Sequence, residues 1–106
     1  MTLITILLGT LYAGTLQAAY FNGAKLFGYL EKNINGENSY DLGSGNGYLL
    51  GAADTGNGIM FCLPVDASFG QIKQIIYNYM QKHPQLWNLG AEVSVINALK
   101  EVYPCK

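Results

Sequence analysis

The sequence predicts a small, compact all-α domain with a Gly/Asn-rich loop region and one disulfide. Three observations carry this. Apolar residues recur at helical spacing in several stretches. Helix start and stop signals bracket the clearest of them. No second alternating run exists to pair with the one strand-like segment. The length of 106 residues permits one domain. Half of the residues are hydrophobic and only 12% are charged, and the first charged side chain is Lys25.

The charge-free beginning reads as an export signal over residues 1–19. The apolar run from Leu3 to Leu16 ends in Gln17, Ala18 and Ala19, small enough at its end for a signal peptidase. No basic residue precedes the run, and Leu16 is larger than the residue such enzymes prefer before the cut. As a membrane span the run is short, since a bilayer core of roughly 30 Å needs about 20 apolar residues. The folded part is then a single domain over residues 20–106, exported and free of the membrane once the signal is removed.

Tyr20 to Lys32 reads as the first helix, with Phe21, Ala24, Phe27 and Leu30 on one face. The next stretch is dense in breakers. Gly36, Gly43, Gly45, Gly47, Gly51, Gly56 and Gly58 alternate there with asparagines, which reads as loop and turn chemistry. A short helix over Tyr48 to Ala53 interrupts it, ending near Asp54 and followed by the loop Thr55-Gly56-Asn57-Gly58. Gly47 and Gly51, four apart, read as permitting close helix packing. Ile59 to Val65, an apolar run that ends at Pro64, fits a strand or an extended connector, and the lack of a pairing strand favours the connector.

Ser68 opens the clearest helix. Ser68 and Gln71 match a capping box, in which the hydroxyl accepts from the third helical N–H and the amide reaches back. Phe69, Ile72, Ile75, Ile76, Tyr79 and Met80 line its apolar face, and His83-Pro84 closes it. A turn over Leu86 to Leu89 leads to a last helix from Gly90 to Val102. Its stripe is Ala91, Val95, Ile96, Leu99, Val102 and Tyr103.

Composition excludes some functions. A net charge of −1 with six lysines and no arginine leaves no basic stripe for nucleic acid. The glycines from Gly43 to Gly47 lack the third glycine and the lysine of nucleotide-binding loops. Two cysteines, Cys62 and Cys105, read first as a disulfide in an exported chain. Closing that loop is worth about 4 kcal/mol at most. The competing roles are a Cys62 nucleophile with His83 as base, or a metal site. The metal site lacks a fourth donor and ligand spacing. No cofactor is expected.

The ordered pieces Gly47-Tyr48-Leu49-Leu50-Gly51-Ala52-Ala53-Asp54, Phe61-Cys62-Leu63-Pro64, Gln71, His83-Pro84, Ala91, Ala98-Leu99 and Tyr103-Pro104-Cys105 resemble the Tai-type (Rap/Tai) immunity family. Those proteins protect bacteria against type VI secreted peptidoglycan amidases. Asn22-Gly23 followed by Leu26 extends the resemblance upstream. It implies a periplasmic helical protein, often a homodimer, with no catalysis of its own. Such a protein binds a papain-like amidase and plugs its active-site cleft. Members commonly carry four cysteines. Here the later pair is present, while the positions of the earlier pair, near Tyr29 and Gly45, hold none.

Three functions therefore stand side by side. An immunity inhibitor needs a partner-binding loop, and Asp54, Thr55, Asn57 and Gly58 are the expected residues, because function often sits on loops held by a rigid scaffold. Another exported helical binding module, such as a periplasmic chaperone, needs a large exposed apolar patch. An enzyme needs Cys62 as a free thiol.

Overall fold

The computed structural model describes residues 21–36 and 40–106. The expected export segment, residues 1–19, lies outside them. Among the described residues four helices form: α1 (Gly23–Ile34), α2 (Tyr40–Gly56), α3 (Phe69–Lys82) and α4 (Ala91–Val102), with a 3-10 turn at Pro84–Leu86 between the last two. α1 and α4 occupy the centre and each packs against the other three helices, while α2 and α3 flank the pair. The fold is all-α with one disulfide, as expected.

α1 starts where Asn22 caps it, its Oδ1 accepting the Lys25 N–H at 2.8 Å. Two further first-turn N–H groups have acceptors from a distant part of the chain. Gly23 N–H donates to the Leu89 carbonyl at 2.9 Å and Ala24 N–H to Trp87 at 3.0 Å. Ala91 N–H returns a bond to the Phe21 carbonyl. This approach requires Gly23, because a Cβ there would sit 2.7 Å from the Trp87 Cα. The inner line of α1 is consequently Gly23, Leu26 and Leu30. Ala24 faces solvent and Phe27 is half-buried, so the expected stripe through Ala24 and Phe27 is rotated from the true one.

The Gly/Asn-rich stretch is mostly helix rather than loop. α2 continues without a break from Tyr40 to Gly56, and the short helix expected from Tyr48 to Ala53 is only its middle. Each helical glycine costs about 1 kcal/mol against alanine, so tertiary packing must supply the difference. It does so through a buried ridge of Gly45, Leu49, Ala53 and Gly56, spaced four, four and three. Gly45 seats the ring of Tyr29, at 2.8 Å from where a Cβ would stand, and Gly56 seats Phe61 at 2.6 Å. Gly47 and Gly51, expected to allow close packing, have nothing within 4 Å of a built Cβ.

The capping box of α3 forms as its sequence requires. Gln71 N–H donates to Ser68 Oγ at 3.1 Å, and Ser68 N–H donates to Gln71 Oε1 at 3.0 Å. Ile72, Ile76 and Met80 are its fully inward residues. At its far end the open carbonyls take side-chain donors. Trp87 Nε1–H donates to Met80 at 2.9 Å, and His83 Nδ1 lies 2.8 Å from the Tyr79 carbonyl. Trp87 also stacks on Phe27, with centroids 4.3 Å apart, which ties this end to α1.

α4 buries Ala91, Ser94, Val95, Ala98 and Leu99. Val102, assigned to the stripe from sequence, is 47% exposed. Ser94 and Ala98 take inner positions that a count of large apolar residues overlooks. Beyond α4, Cys105 is bonded to Cys62, 43 positions earlier, with Cα atoms 5.0 Å apart.

Candidate partner-binding face

The segment after α2 is a fastened turn. Its geometry starts with Gly58, whose φ of 85° suits glycine alone at no steric cost. Gly58 N–H donates to the Phe61 carbonyl at 2.7 Å. Ile59 and Met60 N–H groups both donate to the Gly56 carbonyl, satisfying the end of α2. The Asn57 side chain accepts the Leu63 N–H at 2.8 Å. Phe61 is fully buried. Next to it, Cys62 N–H donates to the Tyr103 carbonyl at 2.8 Å, and its sulfur carries the disulfide. The turn is thus anchored by a buried ring, a cross-link and a set of hydrogen bonds, and it holds Ile59 77% exposed and Met60 48% exposed.

Beside this turn runs a groove of about 250 Å³ between α2 and α4. Its walls are Ala52 and Thr55 from α2, Ile59 and Met60 from the turn, and Ile96 and Glu92 from α4. It opens into a shallower depression of about 410 Å³ beside Gly47, Tyr48 and Gly51, with which it shares Ala52, Thr55 and Glu92. The carboxylate of Glu92 stands where the two meet. Gly90 gives it room, since a Cβ there would run into the Glu92 oxygens. The Tyr48 hydroxyl donates to Glu92 Oε2 at 3.4 Å. Partial burial, and then the charge of Glu92, push the Tyr48 hydroxyl's ionisation above the ordinary tyrosine value.

The four residues expected on a loop divide by role. Asp54 and Thr55 lie in the last turn of α2, Asp54 exposed and Thr55 on the groove wall. Asn57 and Gly58 shape the turn through the bonds just described. Sequence reasoning missed Ile59, Met60, Ile96 and Glu92. Ile59 and Met60 carried one readable signal. They follow a glycine in an apolar run with no partner strand, so that run has more apolar residues than its neighbours can cover. Ile96 sits at a stripe position and reads as core, and nothing local marks Glu92.

The catalytic pairing of Cys62 with His83 lacks its thiol, because Cys62 is in the disulfide. His83 caps α3 and stacks on Tyr79 at 3.9 Å between centroids. Among the described residues no group of three His, Cys, Asp or Glu stands together as a metal site. No helix among them is long and apolar enough to cross a membrane. A family model described as Rap1a immunity proteins matches residues 14–105. No curated protein matches the chain.

Proposed function

This chain belongs to the Rap1a immunity protein family, and on that premise we propose that it is exported and neutralises a type VI secreted peptidoglycan amidase by occluding its cleft. Family membership gives the coarse statement, an immunity protein directed at a secreted effector protein. The finer one draws on the resemblance of the ordered motifs to amidase inhibitors. It is supported by the fastened turn from Asn57 to Phe61, which presents two apolar side chains with little ordering entropy left to lose on binding.

In this reading residues 1–19 direct the chain to the periplasm, where the disulfide forms and persists. The protein performs no chemistry of its own. Thr55, Ile59 and Met60 meet the enzyme, Asp54 borders the contact, and Asn57 and Gly58 hold the turn in shape. A homodimer is part of the same proposal.

The experiment is co-expression with a candidate type VI secreted peptidoglycan amidase. The two are expected to co-purify and the inhibitor to abolish peptidoglycan cleavage at one equivalent. Ile59→Asp combined with Met60→Ser is expected to weaken inhibition strongly, with an unchanged far-UV spectrum and melting point. Full cleavage activity in the presence of excess wild-type protein would sink the proposal. Asn57 is the wrong residue to alter for this purpose, because losing its bond to Leu63 changes the turn as well as the contact.

A further inference from the structure

The groove beside the turn carries more than an apolar surface. Ala52, Ile59, Met60 and Ile96 make its walls, and among the described residues Glu92 is the only charged one that lines either the groove or the adjoining depression. The carboxylate is exposed and faces this space. Gly90 lets it fold back over the start of α4, and Tyr48 donates to one of its oxygens over a long 3.4 Å. That leaves acceptor capacity on both oxygens. Asp54, exposed and one residue before Thr55, adds a second carboxylate on the same turn of α2.

An apolar trough that ends on an anion fits one type of side chain, an aliphatic stem tipped by a cation. A wholly apolar side chain would dehydrate Glu92 and give it no counter-charge, which costs free energy. A lysine supplies the charge but not a planar fork for two oxygens, and it is more strongly hydrated than a guanidinium. We propose that this groove is a receptor for an arginine side chain of the partner protein. Its stem lies against Ala52 and Ile96, and its guanidinium pairs with Glu92. The proposal rests on the reading of this face as the one that meets the partner. It also gives the absence of arginine from this chain a counterpart, since the planar cation at the contact comes from the other protein.

The test uses ¹⁵N-labelled protein titrated with two peptides, acetyl-Leu-Arg-Leu-amide and the same peptide with citrulline, which keeps the shape and removes the charge. Saturable amide shifts are expected at Thr55, Gly56, Ile59 and Ile96. The arginine peptide should bind about two- to fivefold more tightly, as an exposed ion pair allows, and raised salt should narrow the gap. Glu92→Gln should erase the difference while preserving the melting curve. Ala52→Leu, which fills the trough, should abolish binding of both peptides. Equal affinity of the two peptides for the wild type overturns the proposal, as do shifts centred elsewhere or the lack of a saturable response. Each of those outcomes leaves the inhibitor reading standing if the amidase complex still forms. Failure of that complex overturns the inhibitor reading instead.

Discussion

The two ends of α2 are built alike and fastened differently. Near its start Gly45 seats Tyr29, and at its end Gly56 seats Phe61. Both contacts place an aromatic ring where a Cβ would otherwise stand. At the first seat the ring is half-buried and packing is the described tie to α1. At the second the ring is fully buried, and the next residue is cross-linked to Cys105. The resemblance to immunity proteins implies an earlier cysteine pair near Tyr29 and Gly45; this chain has a ring seated on a glycine there. The difference locates rigidity. The end that borders the proposed partner-binding face has the covalent fastening, and the opposite end relies on fit.

The largest expected effect comes from breaking the second seat. Phe61→Ala removes a fully buried ring and is expected to cost about 3–5 kcal/mol in urea unfolding. Tyr29→Ala should cost distinctly less, in line with its smaller burial. Equal losses would show that the two ends are fastened to the same degree. Next in size is the cross-link. Replacing Cys62 and Cys105 together by serine is expected to cost about 2–4 kcal/mol. Hydrogen exchange should rise at residues 57–63 and stay unchanged around Gly45. A uniform rise would mean that the bond stabilises the whole domain rather than one end.

Glycine-to-alanine changes give a finer comparison. Gly56→Ala drives a methyl into the Phe61 ring and is expected to cost about 1–3 kcal/mol. Gly45→Ala meets not only the ring of Tyr29 but also its Cβ, 2.9 Å away, which cannot swing aside, so a loss of similar size is expected. Gly43→Ala meets nothing within 4 Å and should stabilise by up to about 1 kcal/mol. A melting series in which Gly43→Ala was no milder than the other two would contradict the seating argument.

The smallest effect lies between the seats, at Tyr48. Its ionisation is raised above 10.0. Below that value the hydroxyl is neutral in both folded and unfolded chains, and pH has no effect through it. As pH rises beyond it the unfolded chain ionises first, so stability falls until the folded hydroxyl ionises too. Tyr48→Phe should flatten that alkaline fall in a pH series of melting temperatures, with no change near neutrality.

Much of this fold was legible because the chain announces it locally. Ser68 and Gln71 specify the start of α3, and His83-Pro84 its end. Cys62 and Cys105 were the one pair available. The extent of α2 was hidden for a specific reason. Two of the four residues on its buried ridge are glycines, which add nothing to an apolar count and read as breakers. Their partners, Tyr29 and Phe61, lie on other elements, so the compensation is visible only in three dimensions. The proposed partner-binding face was half legible. Turn chemistry singled out Thr55, which lines the groove, and Asn57 and Gly58, which shape the turn beside it. Glu92 and Ile96 sit on a helix far along the chain, and only the packing of α4 against α2 brings them to the same groove.

One earlier detail bears on the order of assembly. The first turn of α1 takes its acceptors from Trp87 and Leu89, and Phe21 accepts from Ala91. Cys105, partner of the turn cysteine, lies beyond α4. A chain delivered from its N-terminus therefore cannot complete its first helix junction until Ala91 has emerged, and the covalent closure waits for Cys105. Contacts of such long sequence separation delay folding. On the export route proposed above, a chain that passes through a membrane as an unfolded thread would benefit from that delay and acquire the proposed binding face only on the far side.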